Sequence, residues 1–197
     1  MVNTKLSKIF EANNGILTTQ MAKDAGIDSS TLRKAAERND IQRHSRGIYL
    51  LDESYYDDLY LLQLKYPKGV YSHETAVMLH WLSTSYPFSY HISFPRGYHL
   101  TNAKDQNIRP HYLPEKELKD KYVTEVDSWD RNPIKVTNLE KTIIDMMRYE
   151  KITPGILEEL IDDYLDREEK NIRRLEEYAK LFKMENLIEE RILAFVK

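Results

Sequence analysis

Three hydroxyls, Ser29, Ser30 and Thr31, precede Arg33, Lys34 and Arg38 in the stretch DSSTLRKAAERND, residues 28–40. Side chains of these types, at this spacing, bind phosphate. Short hydroxyls let a helix end approach an anion closely, and its unpaired N–H groups and dipole favour negative charge. The cations then lie one to three turns further along. A second basic group follows at once: Arg43-His44-Ser45-Arg46-Gly47 joins two short apolar runs. Arginines on such a tip can hold phosphate or the narrow minor groove of DNA. A solvated charged face on a protein-binding module is the blander reading of the same residues.

Histidine offers a second chemistry. Five of the six, His73, His80, His91, His99 and His111, fall within 39 residues of chain. HETAVMLH is not the zinc-protease motif, because its histidines stand seven apart rather than four. A metal site would need a carboxylate such as Glu74, or a histidine from a strand. The expectation is that these rings pack against tyrosines and that no metal is bound. Asp162, Asp163 and Asp166 could hold Mg²⁺, but on an amphipathic helix they read as a solvated face. With no cysteine, no glycine-rich phosphate loop and no Ser-centred elbow, no catalytic residue is assigned, no cofactor is expected and an enzyme is not.

Local patterns place these groups. Leu6, Ile9 and Phe10 mark the buried face of a first helix, stopped by Asn13-Asn14-Gly15. ILTTQMAKDAGI predicts a second helix with Thr18 or Thr19 as cap. Asp28 or Ser29 caps a third, with Leu32, Ala35 and Ala36 inward. Strands at 41–43 and 48–51 complete the order of a winged helix-turn-helix. In that architecture the third helix enters the major groove and the hairpin lies beside it. The expected DNA-binding residues are therefore Ser29, Ser30, Thr31, Arg33, Lys34, Arg38, Arg43 and Arg46.

Charge follows the same division. Residues 1–51 carry eight Lys/Arg against five Asp/Glu, a surplus of three; a total of −3 leaves −6 for the rest. A basic head on an acidic body fits nucleic-acid contact by the head alone. The 197 residues are 41% hydrophobic with 14 tyrosines, enough for packed cores, and no apolar run is long enough to span a membrane. The N-terminus lacks the apolar stretch of a signal peptide, so a cytoplasmic protein is expected.

Beyond an acidic helical connector at 52–66, the chain reads as mixed α/β to about residue 150 and helical from 151 to 197. Ser72 should cap HETAVMLHWL. Strands are expected at 90–94, 108–113 and 121–126, and after the turn in SWDRNPIKV. Thr137-Asn138-Leu139-Glu140 reads as a capping box. Helices should follow at 155–166, 169–183 and 185–196, the last striped by Leu187, Ile188, Ile192 and Phe195. The fold class is thus α/β (α+β): a winged helix-turn-helix at 1–51, then a mixed α/β domain with a helical tail at 52–197.

GILTTQMAKDAGIDSSTLRKAAERNDIQRHSRGIYLL resembles the N-terminal winged helix of the AbiEi antitoxins of bacterial abortive-infection (phage-defence) toxin–antitoxin pairs. YSHETAVMLHWL, HISFPRG and VTNLEKTIIDMMR resemble their antitoxin domain, in order and at suitable spacing. The resemblance implies two activities. The head would bind inverted repeats in its own promoter and repress the operon. The body would neutralise a nucleotidyltransferase-type toxin in the type IV manner, without a stable complex. No catalytic role passes to Ser72, His73, Arg96, Thr137, Glu140, Lys141, Thr142 or Asp145, which read as caps and packing polars. The absence of a heptad pattern predicts a monomer in solution that binds DNA cooperatively. A ligand-sensing winged-helix repressor without antitoxin activity is the alternative.

Overall fold

The structure, a computed structural model, describes residues 4–52, 57–101, 103 and 105–195. The chain forms two compact units, one of residues 1–67 with 127–134, the other of 68–126 with 135–197.

In the first unit, helix α1 (Thr4–Glu11) leads to strand β1 (Ile16–Thr18), helices α2 (Thr19–Asp24) and α3 (Ser29–Glu37), and strands β2 (Gln42–Ser45) and β3 (Ile48–Leu50). The strands pair antiparallel in the order β1-β3-β2. Ile16–Thr18 is therefore a strand and not the start of the second helix. Ile-Leu-Thr is β-prone, and pairing Ile16 with Leu50 satisfies backbone groups that a helix end would leave open. Thr18 accepts a hydrogen bond from the N–H of Met21 at 3.1 Å and so caps α2. Leu6, Phe10, Leu17, Ala22, Ile27, Leu32, Ala35, Ile41 and Tyr49 form the core.

Helix α4 (Asp58–Lys65) belongs to this unit, which thus extends past the expected boundary near residue 52. Its Leu61 packs with Ile16, Ile48 and Leu50 on the outer face of the small sheet. Part of the expected connector, 53–56, lies outside the described residues. The segment 127–134 closes the unit. Buried Asp57 caps α4 through Oδ1, and its Oδ2 accepts from Ser128 Oγ and from Asn132 Nδ2 (2.9 Å). Asn14 Nδ2 donates to Asn132 Oδ1 at 2.9 Å.

The second unit is built on a five-stranded sheet, β6-β5-β4-β8-β7. Its strands are β4 (Val70–Tyr71), β5 (Tyr90–Pro95), β6 (Ile108–Leu113), β7 (Val123–Asp127) and β8 (Pro133–Thr137). β4 runs antiparallel to β5 and parallel to β8, and β5 runs parallel to β6. Helices α5 (His73–Leu79), α6 (Leu139–Met147), α7 (Ile156–Asp166), α8 (Ile172–Phe182) and α9 (Glu185–Arg191) accompany it. The tail supplies Ile156, Leu160, Tyr164, Leu175, Tyr178, Ile188 and Ile192 to a core with Val77, Ile143 and Ile144. Each such burial contributes about 1.5–3 kcal/mol.

Several local expectations shift. Asn138, not Thr137, caps α6, accepting from Lys141 N at 3.0 Å. Glu140 faces away from the cap: it accepts from Tyr164 Oη, Asn171 N and Arg174 Nε, which draws three parts of the tail onto α6. Glu169 precedes α8 instead of opening it, and pairs with Arg167. Phe195 is exposed, because the last helix ends at Arg191 and a short 3₁₀ turn follows.

His80 ends α5, and its Nε2–H donates to the Thr137 carbonyl at 2.7 Å. Burial lowers its pKa, helped by Arg167 and opposed by the Thr137 bond and Glu140. A folded pKa below the unfolded value of 6.5 means that the unfolded chain binds the extra proton. This contribution is present above pH 6.5 and is lost as pH falls below it. One proton amounts to about 1.4 kcal/mol per pH unit at most. Urea unfolding of His80→Gln, which keeps an N–H donor, should lose stability less steeply than the parent between pH 6.5 and 5.5. Equal slopes would show that His80 is not held neutral.

Candidate nucleic-acid interface

Asp28 sets the start of α3. Its side chain accepts from Ser30 N at 2.7 Å, and the Ser30 hydroxyl together with this contact holds the carboxyl below its usual pKa. The apolar stripe of Leu32 and Ala35 turns into the core. By helical spacing the opposite face then presents Arg33, Lys34, Glu37 and Arg38, all exposed, while Ser29 is exposed and Ser30 and Thr31 are half-buried at the helix start.

The wing is tied to the same frame. Gly47 turns the hairpin at φ +78°, a conformation that L side chains rarely adopt, and a Cβ there would stand 2.8 Å from Thr19 Oγ1. Thr19 N donates to the Gly47 carbonyl at 2.9 Å, and Thr19 Oγ1 to the same oxygen at 3.2 Å. The wing turn is thus fastened to the first residue of α2. Between Arg43 and Ser45 the ladder with β3 slips by one residue, which bulges exposed His44 outward. No local pattern marks that bulge, which is a property of the pairing. His44 therefore joins exposed Arg43 and Arg46 as a third polar side chain on the wing.

Internal pairing differs among the cations. Arg38 Nε holds Asp40 at 2.9 Å, and Arg33 Nε lies 3.6 Å from Glu37. The Arg33–Glu37 pair is exposed on both sides and worth at most about 1 kcal/mol, so it opens readily for a phosphate, whereas Arg38 is held by a half-buried Asp40. Lys34, Arg43 and Arg46 form no salt bridge among the described residues. The structure thus brings the eight expected residues onto one helix and its adjoining wing within a single compact unit.

The second unit sorts its polar residues otherwise. Ser72, Thr137, Glu140, Lys141, Thr142 and Asp145 are buried and serve packing and ion pairing, whereas Arg96 is exposed. Asp163 accepts from Arg167 Nε at 2.8 Å, and Asp162 and Asp166 line an open cleft of about 630 Å³ with Trp81 and Tyr86. Among the described residues one group could hold a metal ion: His73, His91 and His111. No described helix is long and apolar enough to cross a membrane.

Residues 5–51 match the model of a family described as "Transcriptional regulator, AbiEi antitoxin". The head thus has the pattern of antitoxin-type regulators, and the two-unit α/β architecture has a solved counterpart. The crystal structure of the RV2827C protein from Mycobacterium tuberculosis is similar at a TM-score of 0.56 and 14% identity, over 91% of this chain and 72% of that one. At that identity the likeness is one of fold. No curated protein sequence matches the chain.

Proposed function

We propose that the protein is a DNA-binding autorepressor and antitoxin. Its winged helix binds inverted repeats in its own promoter, and its second unit neutralises a nucleotidyltransferase-type toxin without forming a stable complex. The observation that carries this reading is the placement of Arg33, Lys34, Arg38, Arg43 and Arg46 on the reading helix and wing of a head that matches an antitoxin-regulator family. Phosphate contacts from these cations supply affinity, and Ser29, Ser30 and Thr31 seat the helix end. The protein is a monomer in solution, and two copies occupy the half-sites cooperatively. It acts in the cytoplasm, where its promoter is, and performs no catalysis itself.

A promoter reporter and a growth-rescue assay, run side by side at equal protein levels, test both halves. A variant with Arg33, Lys34, Arg43 and Arg46 all changed to Glu should lose repression yet still rescue cells expressing the toxin gene adjacent to its own. If that variant fails to rescue although the second unit is folded, or if residues 1–67 alone rescue, the division of labour is refuted.

The cleft lined by Trp81, Tyr86, Asp162 and Asp166 favours one other reading, a repressor that senses a small ligand. That reading requires a metabolite that shifts the melting temperature and releases the promoter, with no rescue of toxin-expressing cells.

A further inference from the structure

We propose that His73, His91 and His111 form a site for one zinc-class divalent cation in the second unit, a property independent of the function proposed above. The topology assembles the three rings. His73 opens α5, His91 lies on β5 and His111 on β6. The parallel register sets Ser93 opposite His111, so His91 and His111 are diagonal neighbours on one face of the sheet. One ring nitrogen from each of the three lies within 4.8 Å of the others. The His73 and His111 rings stack at 3.6 Å between centroids, and His111 Nε2 is 3.2 Å from His91 Nδ1.

The surroundings fit imidazole ligation. Metal binding needs the neutral ring. His73 and His91 are buried and His111 is half-buried, surroundings that favour an uncharged ring. Metal-ligating histidines commonly use their second nitrogen to bond a fixing partner. Here His73 Nδ1 is 2.9 Å from Ser72 Oγ, which accepts from Ser93 Oγ at 2.7 Å, leaving His73 Nε2 for the cation. The Tyr149 ring stands edge-on to all three histidines and walls the cluster. His73 itself has a φ of +51°, a left-handed conformation uncommon outside glycine and frequent at functional sites.

Ligand chemistry selects the ion. Three nitrogens with no carboxylate and no thiolate suit Zn²⁺ and its neighbours, not Mg²⁺ or Ca²⁺, which demand oxygen. Glu74 is used elsewhere, accepting from Thr153 N and Oγ1. Lys141 and Arg148 are ion-paired to Asp145 and Glu117, which mutes their repulsion of a cation. Arg109, whose Nη1 donates to Tyr149 Oη at 2.7 Å, is exposed and solvent-screened. Three protein ligands leave the fourth position of a tetrahedral site to water.

The test uses tag-free full-length protein, stripped with chelator and titrated with Zn²⁺ against a chromophoric chelator, and separately with Co²⁺. The expected result is one tightly bound Zn²⁺ per chain, a raised melting temperature of the second unit, and a visible Co²⁺ band of four-coordinate type. Changes to partners of metal ligands commonly cost about 10–100-fold in affinity, so loss of a ligand in His111→Ala should cost at least about 100-fold. His91→Gln should do likewise, each variant first shown to be folded by circular dichroism. His99→Ala, on an exposed histidine, should leave Zn²⁺ affinity unchanged. Failure to compete with the chelator, full affinity in folded His111→Ala or His91→Gln, or loss of binding in the His99 variant would each overturn the site.

Discussion

Lys141→Met is expected to destabilise the second unit by about 3–5 kcal/mol, as removal of one partner from a buried ion pair does. Lys141 is 0% exposed and its ammonium pairs with Asp145, itself 2% exposed, on the next turn of α6. Glu117 Oε2 is 3.8 Å from the same ammonium but keeps Arg148 at 3.2 Å, so it survives the substitution. Asp145 does not: its Oδ2 has no hydrogen-bond partner among the described residues, and burial already raises its pKa against the pull of Lys141. A domain stable by roughly 5–15 kcal/mol loses much of its margin in that way. The double variant Lys141→Met/Asp145→Leu should recover most of the loss, because two apolar side chains fit a site that two charges occupied at a desolvation cost. Urea unfolding of the four members of the cycle measures this. By contrast, Arg173 and Glu177, 89% and 52% exposed and 3.5 Å apart, should contribute only about 0.3–0.5 kcal/mol. If Lys141→Met costs no more than that surface pair, the buried pair does not organise α6.

The second large effect concerns DNA. If the head neutralises about four to six phosphates, log K should fall with log salt at a slope of roughly −4 to −5. Lys34→Ala/Arg43→Ala/Arg46→Ala removes three cations that form no salt bridge among the described residues. Each lost contact takes about 0.9 from the slope, leaving it near roughly −2, and affinity at about 0.15 M salt should fall on the order of 100-fold. None of the three lies in the core, so the melting temperature should hold. Binding measured by fluorescence anisotropy on the promoter and on scrambled DNA separates two roles. Loss of Arg43 and Arg46 should weaken both DNAs alike, whereas Arg33 and Lys34 on α3 should affect the promoter more. An unchanged salt slope in the folded triple variant would remove these side chains from the interface.

Local signals in the sequence carried the head. Asp28 as cap, the Leu32 and Ala35 stripe and the Gly47 turn each depend on a few neighbouring residues, and each stands where the pattern placed it. The misreadings share a cause, which is a distant partner. Ile16–Thr18 reads as a helix start until Ile48–Leu50 pairs with it. Asn138 takes the cap from Thr137 because the Thr137 hydroxyl is engaged by Thr142 Oγ1 at 2.8 Å. The α4 helix reads as a polar connector until Leu61 finds the outer face of the head's sheet. The histidines show the same limit. Sequence spacing put His73 and His80 in one helix, but the parallel β5–β6 pairing gives His73 the company of His91 and His111, while His80 turns to the Thr137 carbonyl.

The discontinuity of the first unit has a consequence for the order of synthesis. Ribosomes deliver the chain from the N-terminus at about 5–20 residues per second, so Ser128 and Asn132, 71 and 75 residues after Asp57, follow it by on the order of 4–15 s. Until then the nascent head lacks the loop that receives the Asp57 carboxylate and Asn14. A message cut short, or a ribosome stalled before residue 134, yields a reading helix and wing on an unfinished unit, with most of the second unit's helices absent. Under the proposed function, occupancy of the operator would then count chains translated nearly to the end, and the gene would be silenced chiefly by copies far enough along to carry the antitoxin as well.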